Sequence, residues 1–253
     1  ANGSEYQHNL NDGTIAYATW QSGSTCRITG WVGSNSPSIS FKSSLAQSFH
    51  HFIWDSPNQT AINVQLSTSS PSALSLTTVN GNLIINNTSS NTTSNRQVTL
   101  GLIAPGTGTL TIGGDFIVNS NARVNMSVTG TYTVNIGGNC VFSSTLGSAP
   151  QYQIVSSSGT TNFNVAGDFT LNSGQVNLST ATGTGNINIG GNLNLNGGVI
   201  AKPGTGTGNV TFTGAVNHTI TKGTGTFSGG NLTVQSGTLN VSGNPLSLAG
   251  DIS

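Results

Sequence analysis

Chemistry in a protein usually begins with acids, imidazoles and thiols, and this chain has few of them. The acidic residues are Glu5, Asp12, Asp55, Asp115, Asp168 and Asp251. Glycoside hydrolysis needs two carboxyl groups about 5–10 Å apart. Asp115 and Asp168 follow the same Gly-containing turn in separate repeat copies, which assigns them to scaffold. A calcium role for Asp115, Asp168 and Asp251 fails because calcium takes 6–8 oxygens from clustered ligands. His50 and His51 are adjacent; in a regular strand they would face opposite sides, one packed and one exposed, and could not share a metal. The serines lie in no G-x-S-x-G elbow. The runs Gly204-Thr205-Gly206-Thr207-Gly208 and Gly223-Thr224-Gly225 have no following helix or lysine and read as turns, not phosphate loops. No catalytic residue, metal site or cofactor is expected.

What remains for recognition is aromatic. Trp20, Trp31 and Trp54 lie in the N-terminal part of the chain, with Tyr17 nearby and Tyr152 further on. They are candidates for stacking on sugar rings, although tryptophans at these densities serve more often as core or cap. Thr-x-Thr pairs at Thr109/Thr111, Thr131/Thr133, Thr211/Thr213 and Thr219/Thr221 suggest a water-ordering, ice-binding face; uneven repeat lengths argue against one flat surface.

The elements that would carry these residues follow from a repeat. The pattern small-Gly-Asn/Asp-apolar-x-apolar recurs at Gly81-Asn82, Gly114-Asp115, Gly138-Asn139, Gly167-Asp168, Gly191-Asn192, Gly230-Asn231 and Gly250-Asp251. A degenerate copy sits at Gly214. Between copies run short apolar alternations such as Leu110/Ile112, Val134/Ile136, Ile187/Ile189 and Val210/Phe212, the signature of half-buried strands. Gly, Asn and Ser pairs separate them as turns.

About three short strands per 20–30 residues, each with one apolar face, predict an all-β chain folded as a right-handed parallel β-helix, a β-solenoid of irregular coils. No coil buries its apolar face alone, and stacking supplies a continuous core. Roughly 10–12 coils at ~4.8 Å spacing would give a rod about 50–60 Å long. The Gly-Asn and Gly-Asp steps are expected to form the corners, with stacked side chains running from coil to coil. Residues 1–75 follow the same grammar loosely and read as atypical first coils or a cap; residues 76–253 read as the regular solenoid. The last repeat copy is cut off near Ser253, so the solenoid is expected to continue.

Composition sets further bounds. Charged residues make up 5% of the chain and the formal net charge is zero, against roughly 25% charged residues in an ordinary soluble domain. Arg27, Lys42, Arg96, Arg123, Lys202 and Lys222 are scattered, which argues against a nucleic-acid partner. No apolar run reaches the ~18 residues of a membrane span. The start at Ala1 rather than Met fits a processed N-terminus and equally a trimmed chain. Cys26 and Cys140 are in phase with inward-facing residues but several coils apart, beyond the roughly 7 Å reach of a disulfide, so both are expected as free buried thiols.

The stretch Gly113-Gly114-Asp115-Phe116, the run Val210-Thr211-Phe212-Thr213-Gly214 followed by His218-Thr219-Ile220-Thr221, and Ser48-Phe49-His50-His51-Phe52-Ile53-Trp54 followed by Ser56-Pro57-Asn58-Gln59 resemble repeats of very large Bacteroidota surface proteins. That resemblance implies export by the type IX secretion system and a role in adhesins or surface filaments. The expected function is a secreted structural or adhesive fibre segment at the cell surface. Its partners would be adjoining solenoid segments or further copies of itself, end to end, and surface polysaccharide. A carbohydrate-binding module and an ice-binding solenoid are the alternatives.

Overall fold

A computed structural model describes residues 3–11, 13–33, 44–60, 63–67, 76–89, 96–101, 105–147 and 151–246. Three parallel sheets stack along one axis. The first has ten strands: Glu5–His8, Thr25–Ile28, His51–Asp55, Leu83–Asn87, Phe116–Asn121, Cys140–Ser143, Phe169–Ser173, Leu193–Leu195, His218–Lys222 and Leu239–Gly243. The second runs from Asn63–Gln65 through Gln97–Thr99, Val124–Ser127, Tyr152–Val155, Gln175–Ser179 and Val199–Ala201 to Thr226–Phe227. The third runs from Thr78–Val79 through Thr107–Ile112, Thr131–Ile136, Thr160–Val165, Thr184–Ile189 and Thr207–Phe212 to Asn231–Val234. From His51 onward the chain visits the three sheets in strict rotation, one strand in each per turn. This is a β-solenoid.

The ten first-sheet strands bound nine turns, fewer than the sequence expectation of 10–12, and span about 43 Å at ~4.8 Å per turn. The difference lies in two long coils. Equivalent corner positions are separated by 31 residues from His51 to Asn82 and by 33 from Asn82 to Asp115. Later coils take 24, 29, 24 and 27. The first sheet absorbs part of this unevenness as register shifts at Trp54/Asp55, Ile85/Asn87 and Phe142/Ser143.

Alternation explains the core. In Thr131–Ile136 every second residue is buried, because successive side chains of a strand point to opposite faces. Stacking then turns each inward position into a column. One such column reads Cys26, Phe52, Leu83, Phe116, Cys140, Phe169, Leu193 and Ile220, each paired in register with the next. All eight are essentially inaccessible to solvent. Phe142 is a hub beside this column: its ring centroid lies 4.2 Å from that of Tyr152, 5.4 Å from Phe169, 5.8 Å from Phe116 and 6.2 Å from Phe163.

Cys26 and Cys140 are both buried free thiols. Four register steps separate them, about 19 Å. Burial raises the pKa of both, and the nearby Asp115 charge adds to the rise at Cys140.

The chain before residue 76 carries the first three strands of the same sheet; His51–Asp55 pairs directly with Leu83–Asn87. Among the described residues, second- and third-sheet strands begin only at Asn63 and Thr78.

Candidate functional site

The Gly-Asn/Asp steps form a corner that runs nearly the length of the molecule. The backbone N–H of Asp115 donates to Asn82 Oδ1 at 2.9 Å, that of Asn139 to Asp115 Oδ1 at 2.7 Å, and that of Asp168 to Asn139 Oδ1 at 2.9 Å. The N–H of Asn192 donates to Asp168 Oδ1 at 2.7 Å, and that of Thr219 to Asn192 Oδ1 at 2.9 Å. Each coil thus satisfies a corner N–H of the next, which would otherwise go unpaired where the strand bends. Only Oδ1 is required, so Asn and Asp alternate freely. The glycine before each acid or amide is sterically obligatory. A Cβ on Gly138 would lie 2.3 Å from Asp115 Oδ1, and one on Gly191 2.4 Å from Asp168 Oδ1.

The ladder begins at a histidine. The Asn82 N–H donates to His51 Nδ1 at 2.9 Å, which requires a ring with no proton on that nitrogen. Burial, and then the neighbouring His50, hold the His51 pKa below its ordinary value. The expectation of opposite faces for this pair is overturned. The rings are 4.3 Å apart, edge to face, and both side chains are half-buried. His50 lies in the bend before His51–Asp55 begins, where strand alternation does not operate. Gly81 leaves room for them: its Cβ would meet both rings at 2.7–2.8 Å.

Among the described residues one repeat copy departs from the corner. Gly230 and Asn231 do not open a first-sheet strand; Asn231 starts the last third-sheet strand and pairs with Asn209. The true corner of that coil is a longer turn after Phe212, in which Thr219 takes the ladder position. His218 ties this turn down, fully buried, with Nδ1 2.7 Å from the Gly191 carbonyl oxygen and Nε2 3.1 Å from that of Gly214. Gly250 and Asp251 lie outside the described residues.

The described acids fall into two settings, the corner ladder and a group around Arg27. Asp115 and Asp168 stand two rungs apart on the corner ladder, about 10 Å. Glu5 and Asp55 flank Arg27, with ion-pair distances of 3.0 and 3.3 Å. Asp12 lies outside the described residues. Among the described residues no three His, Cys, Asp or Glu side chains gather as a metal site would require.

The candidate sugar-stacking residues separate. Trp54 is fully buried and donates its indole N–H to Gln59 Oε1 at 3.1 Å. Trp31 is 5% exposed. Neither ring can reach a ligand, because both occupy inward positions of the first coils. Of the tryptophans only Trp20 is partly exposed; it packs on Phe49 and Tyr6, and its N–H donates to Gln47 Oε1 at 2.8 Å, while Tyr17 is exposed and Tyr152 buried.

The most regular outward surface is on the third sheet. Five consecutive strands, from Thr107–Ile112 to Thr207–Phe212, pair in register at all six positions without a shift. Uneven coil length is therefore taken up elsewhere, and the objection to one flat face does not hold. The outer side chains form three columns. The first is Thr107, Thr131, Thr160, Thr184 and Thr207. The second is Thr109, Thr133, Asn162, Asn186, Asn209 and Asn231. The third is Thr111, Asn135, Asn164, Asn188, Thr211 and Thr233.

The asparagines are joined laterally. Asn164 Nδ2 donates to Asn135 Oδ1 at 2.8 Å and Asn188 Nδ2 to Asn164 Oδ1 at 2.7 Å. In the second column Asn186 donates to Asn162 at 2.9 Å, Asn209 to Asn186 at 2.7 Å and Asn231 to Asn209 at 3.0 Å. Sequence reasoning missed these columns, although the runs Thr160-x-Asn162-x-Asn164 and Thr184-x-Asn186-x-Asn188 carry their period of two. Of the Thr pairs, Thr109, Thr111, Thr131, Thr133 and Thr211 lie on this face. Thr219 and Thr221 belong to the first sheet, and Thr213 to a turn.

Beside the third column lies a groove of about 430 Å³ lined by Asn135, Asn164 and Asn188 of that column, by the exposed Ala166, and by Thr213 and Gln235 from later coils. No protein-family model, curated protein or solved structure matches the chain.

Proposed function

We propose that this chain is a segment of an extracellular structural or adhesive fibre at a bacterial cell surface and that it carries out no catalysis. The observation that carries this reading is the corner ladder from His51 to Thr219, which commits the chain's recurring polar residue to holding one coil on the next. Coil-to-coil cohesion then rests on backbone pairing, buried apolar columns and short-range amide bonds, none of which salt screens strongly. Arg27 forms ion pairs with Glu5 and Asp55 in a chain of which 5% of residues are charged. A rod of this kind suits exposure to variable ionic strength. Glu5–His8 and Leu239–Gly243 each pair on one side in the first sheet, and on their other edges adjoining coils or further copies would stack. The resemblance of the repeats to Bacteroidota surface proteins supports the same setting.

Electron microscopy of native, unfixed material with antibody raised against this chain tests the proposal. Label along rods or filaments outside the cell is expected. Label confined to the cell interior, or to compact particles, would overturn it.

A second reading is favoured by one observation. The outer face of the third sheet is an in-register, uncharged Thr/Asn lattice with spacings of about 4.8 Å across strands and ~6.7 Å along them, which suits ordered water and hence ice. Thermal hysteresis in purified protein would support this reading, and its absence would remove it.

A further inference from the structure

We propose that the groove beside the third sheet binds one extended strand of an uncharged polysaccharide, lying parallel to the solenoid axis. This names a ligand for the adhesive role and rests on that reading for its biological setting.

The groove has the chemistry for such a strand. A primary carboxamide offers two N–H donors and two acceptor lone pairs. Asn164 uses one donor on Asn135 and one lone pair on Asn188. Valence leaves it one donor and one acceptor, and its side chain is only half-buried at the groove wall. Asn135 and Asn188 line the same wall one coil to either side. The result is a row of donor–acceptor pairs repeated every ~4.8 Å, a pitch close to the rise of one residue in an extended β-linked glycan. Vicinal hydroxyls both donate and accept, so successive sugars can meet successive amides in one register. Each amide is also fixed by its neighbours, so little side-chain freedom is lost on binding.

The other side of the groove offers a sugar ring one small apolar contact, the Ala166 methyl group. Ala166 stands exposed there, while Ile136 and Val165 turn their side chains into the core and offer the groove little beyond backbone. Gly190 lets the two coils beside the groove approach closely, since a Cβ there would sit 2.4 Å from the Ala166 carbonyl oxygen. Among the described residues no charged side chain lines the groove, so an anionic or cationic polymer would lose hydration without gaining a partner there. Thr213 and Gln235 add a hydroxyl and an amide at one end.

The test is calorimetric titration of the purified chain with cellohexaose, xylohexaose and mannohexaose, each at about 1 mM, a concentration that registers millimolar affinity. At least one neutral hexaose is expected to bind. Ala166→Trp fills the groove from an exposed position outside the core, and should weaken binding tenfold or more while leaving the melting temperature unchanged. If that variant fails to fold, Gln235→Trp blocks one end from an exposed position. Failure of all three sugars to bind, or equal binding by a folded blocked variant, would overturn the proposal. Antibody-labelled filaments that ignore every hexaose would remove the groove and leave the fibre reading standing; sugar binding by a chain confined to the cell interior would do the reverse.

Discussion

Asp168 Oδ1 accepts the backbone N–H of Asn192 at 2.7 Å, and this one contact links two coils 24 residues apart. The same oxygen takes the Asn192 side-chain N–H at 3.2 Å. Neither bond requires the negative charge. Asp168→Asn is therefore expected to change stability by less than about 0.5 kcal/mol, while Asp168→Ala should cost about 1–2 kcal/mol by leaving a corner N–H without its acceptor. Urea unfolding of the two variants beside the parent checks this. Equal destabilisation by both would mean that charge, not the acceptor oxygen, holds the corner.

Gly138→Ala should be more damaging than Asp168→Ala, although it adds one methyl group. The new Cβ would press on Asp115 Oδ1 at 2.3 Å and on the Gly114 carbonyl at 2.9 Å. Relief requires moving a ladder acceptor or separating two coils, and overpacking of this kind costs about 1–3 kcal/mol before the lost hydrogen bond is counted. A thermal melt that leaves Gly138→Ala level with the parent would contradict the tight approach of the coils.

How much of this was legible in the sequence depends on which face a residue occupies. The inward columns were readable because burial enforces apolar alternation, and the Gly-Asn/Asp corner was readable because close stacking excludes any side chain larger than glycine at one position. Asn231 misled because its Gly-Gly-Asn-Leu context fits a third-sheet strand start as well as a corner; nothing local distinguishes an Asn that caps a backbone N–H from one that joins an outer amide column. His50 and His51 misled because the strand begins between them. The groove wall of Asn135, Asn164 and Asn188 required register, which the separations of 29 and 24 residues conceal.

Acid should loosen the start of the corner ladder. His51 must be unprotonated at Nδ1 to accept from Asn82, and its pKa in the folded chain is lowered by burial and by His50. The unfolded chain therefore takes up its proton first as pH falls below the ordinary histidine value of about 6.5. The contribution of neutral His51 is complete above that pH and is lost progressively on acidification toward the lowered value. His51→Asn supplies a non-titrating acceptor at the same rung. Melting temperatures measured between pH 7 and 5 should fall less steeply in this variant; superimposable curves would clear His51 of the effect.

Both thiols should be inert until the chain opens. Cys26 and Cys140 have no solvent-accessible surface and raised pKa values, so little thiolate is available and none is reachable. An aromatic disulfide reagent at pH 8 is expected to titrate neither in native protein and both in denaturant. Rapid native reaction of either would place it outside the core column.

Phe142 offers a test of whether the solenoid behaves as one body or as a stack of neighbours. Its ring meets Phe116, Tyr152, Phe163 and Phe169, so it packs within its own coil and against those on either side. Phe142→Ala should cost about 3–5 kcal/mol through lost burial and the cavity left behind; Phe142→Leu keeps most of the volume and should cost less than about 1.5 kcal/mol. In a stack where each coil contacts only its neighbours, such damage is local. Amide exchange should then quicken in Phe116–Asn121, Cys140–Ser143 and Phe169–Ser173 while Glu5–His8 and Thr25–Ile28 keep their parental rates. A uniform rise along the whole first sheet would instead mean that its ten strands open together, and that cooperativity along the axis is much longer than one coil.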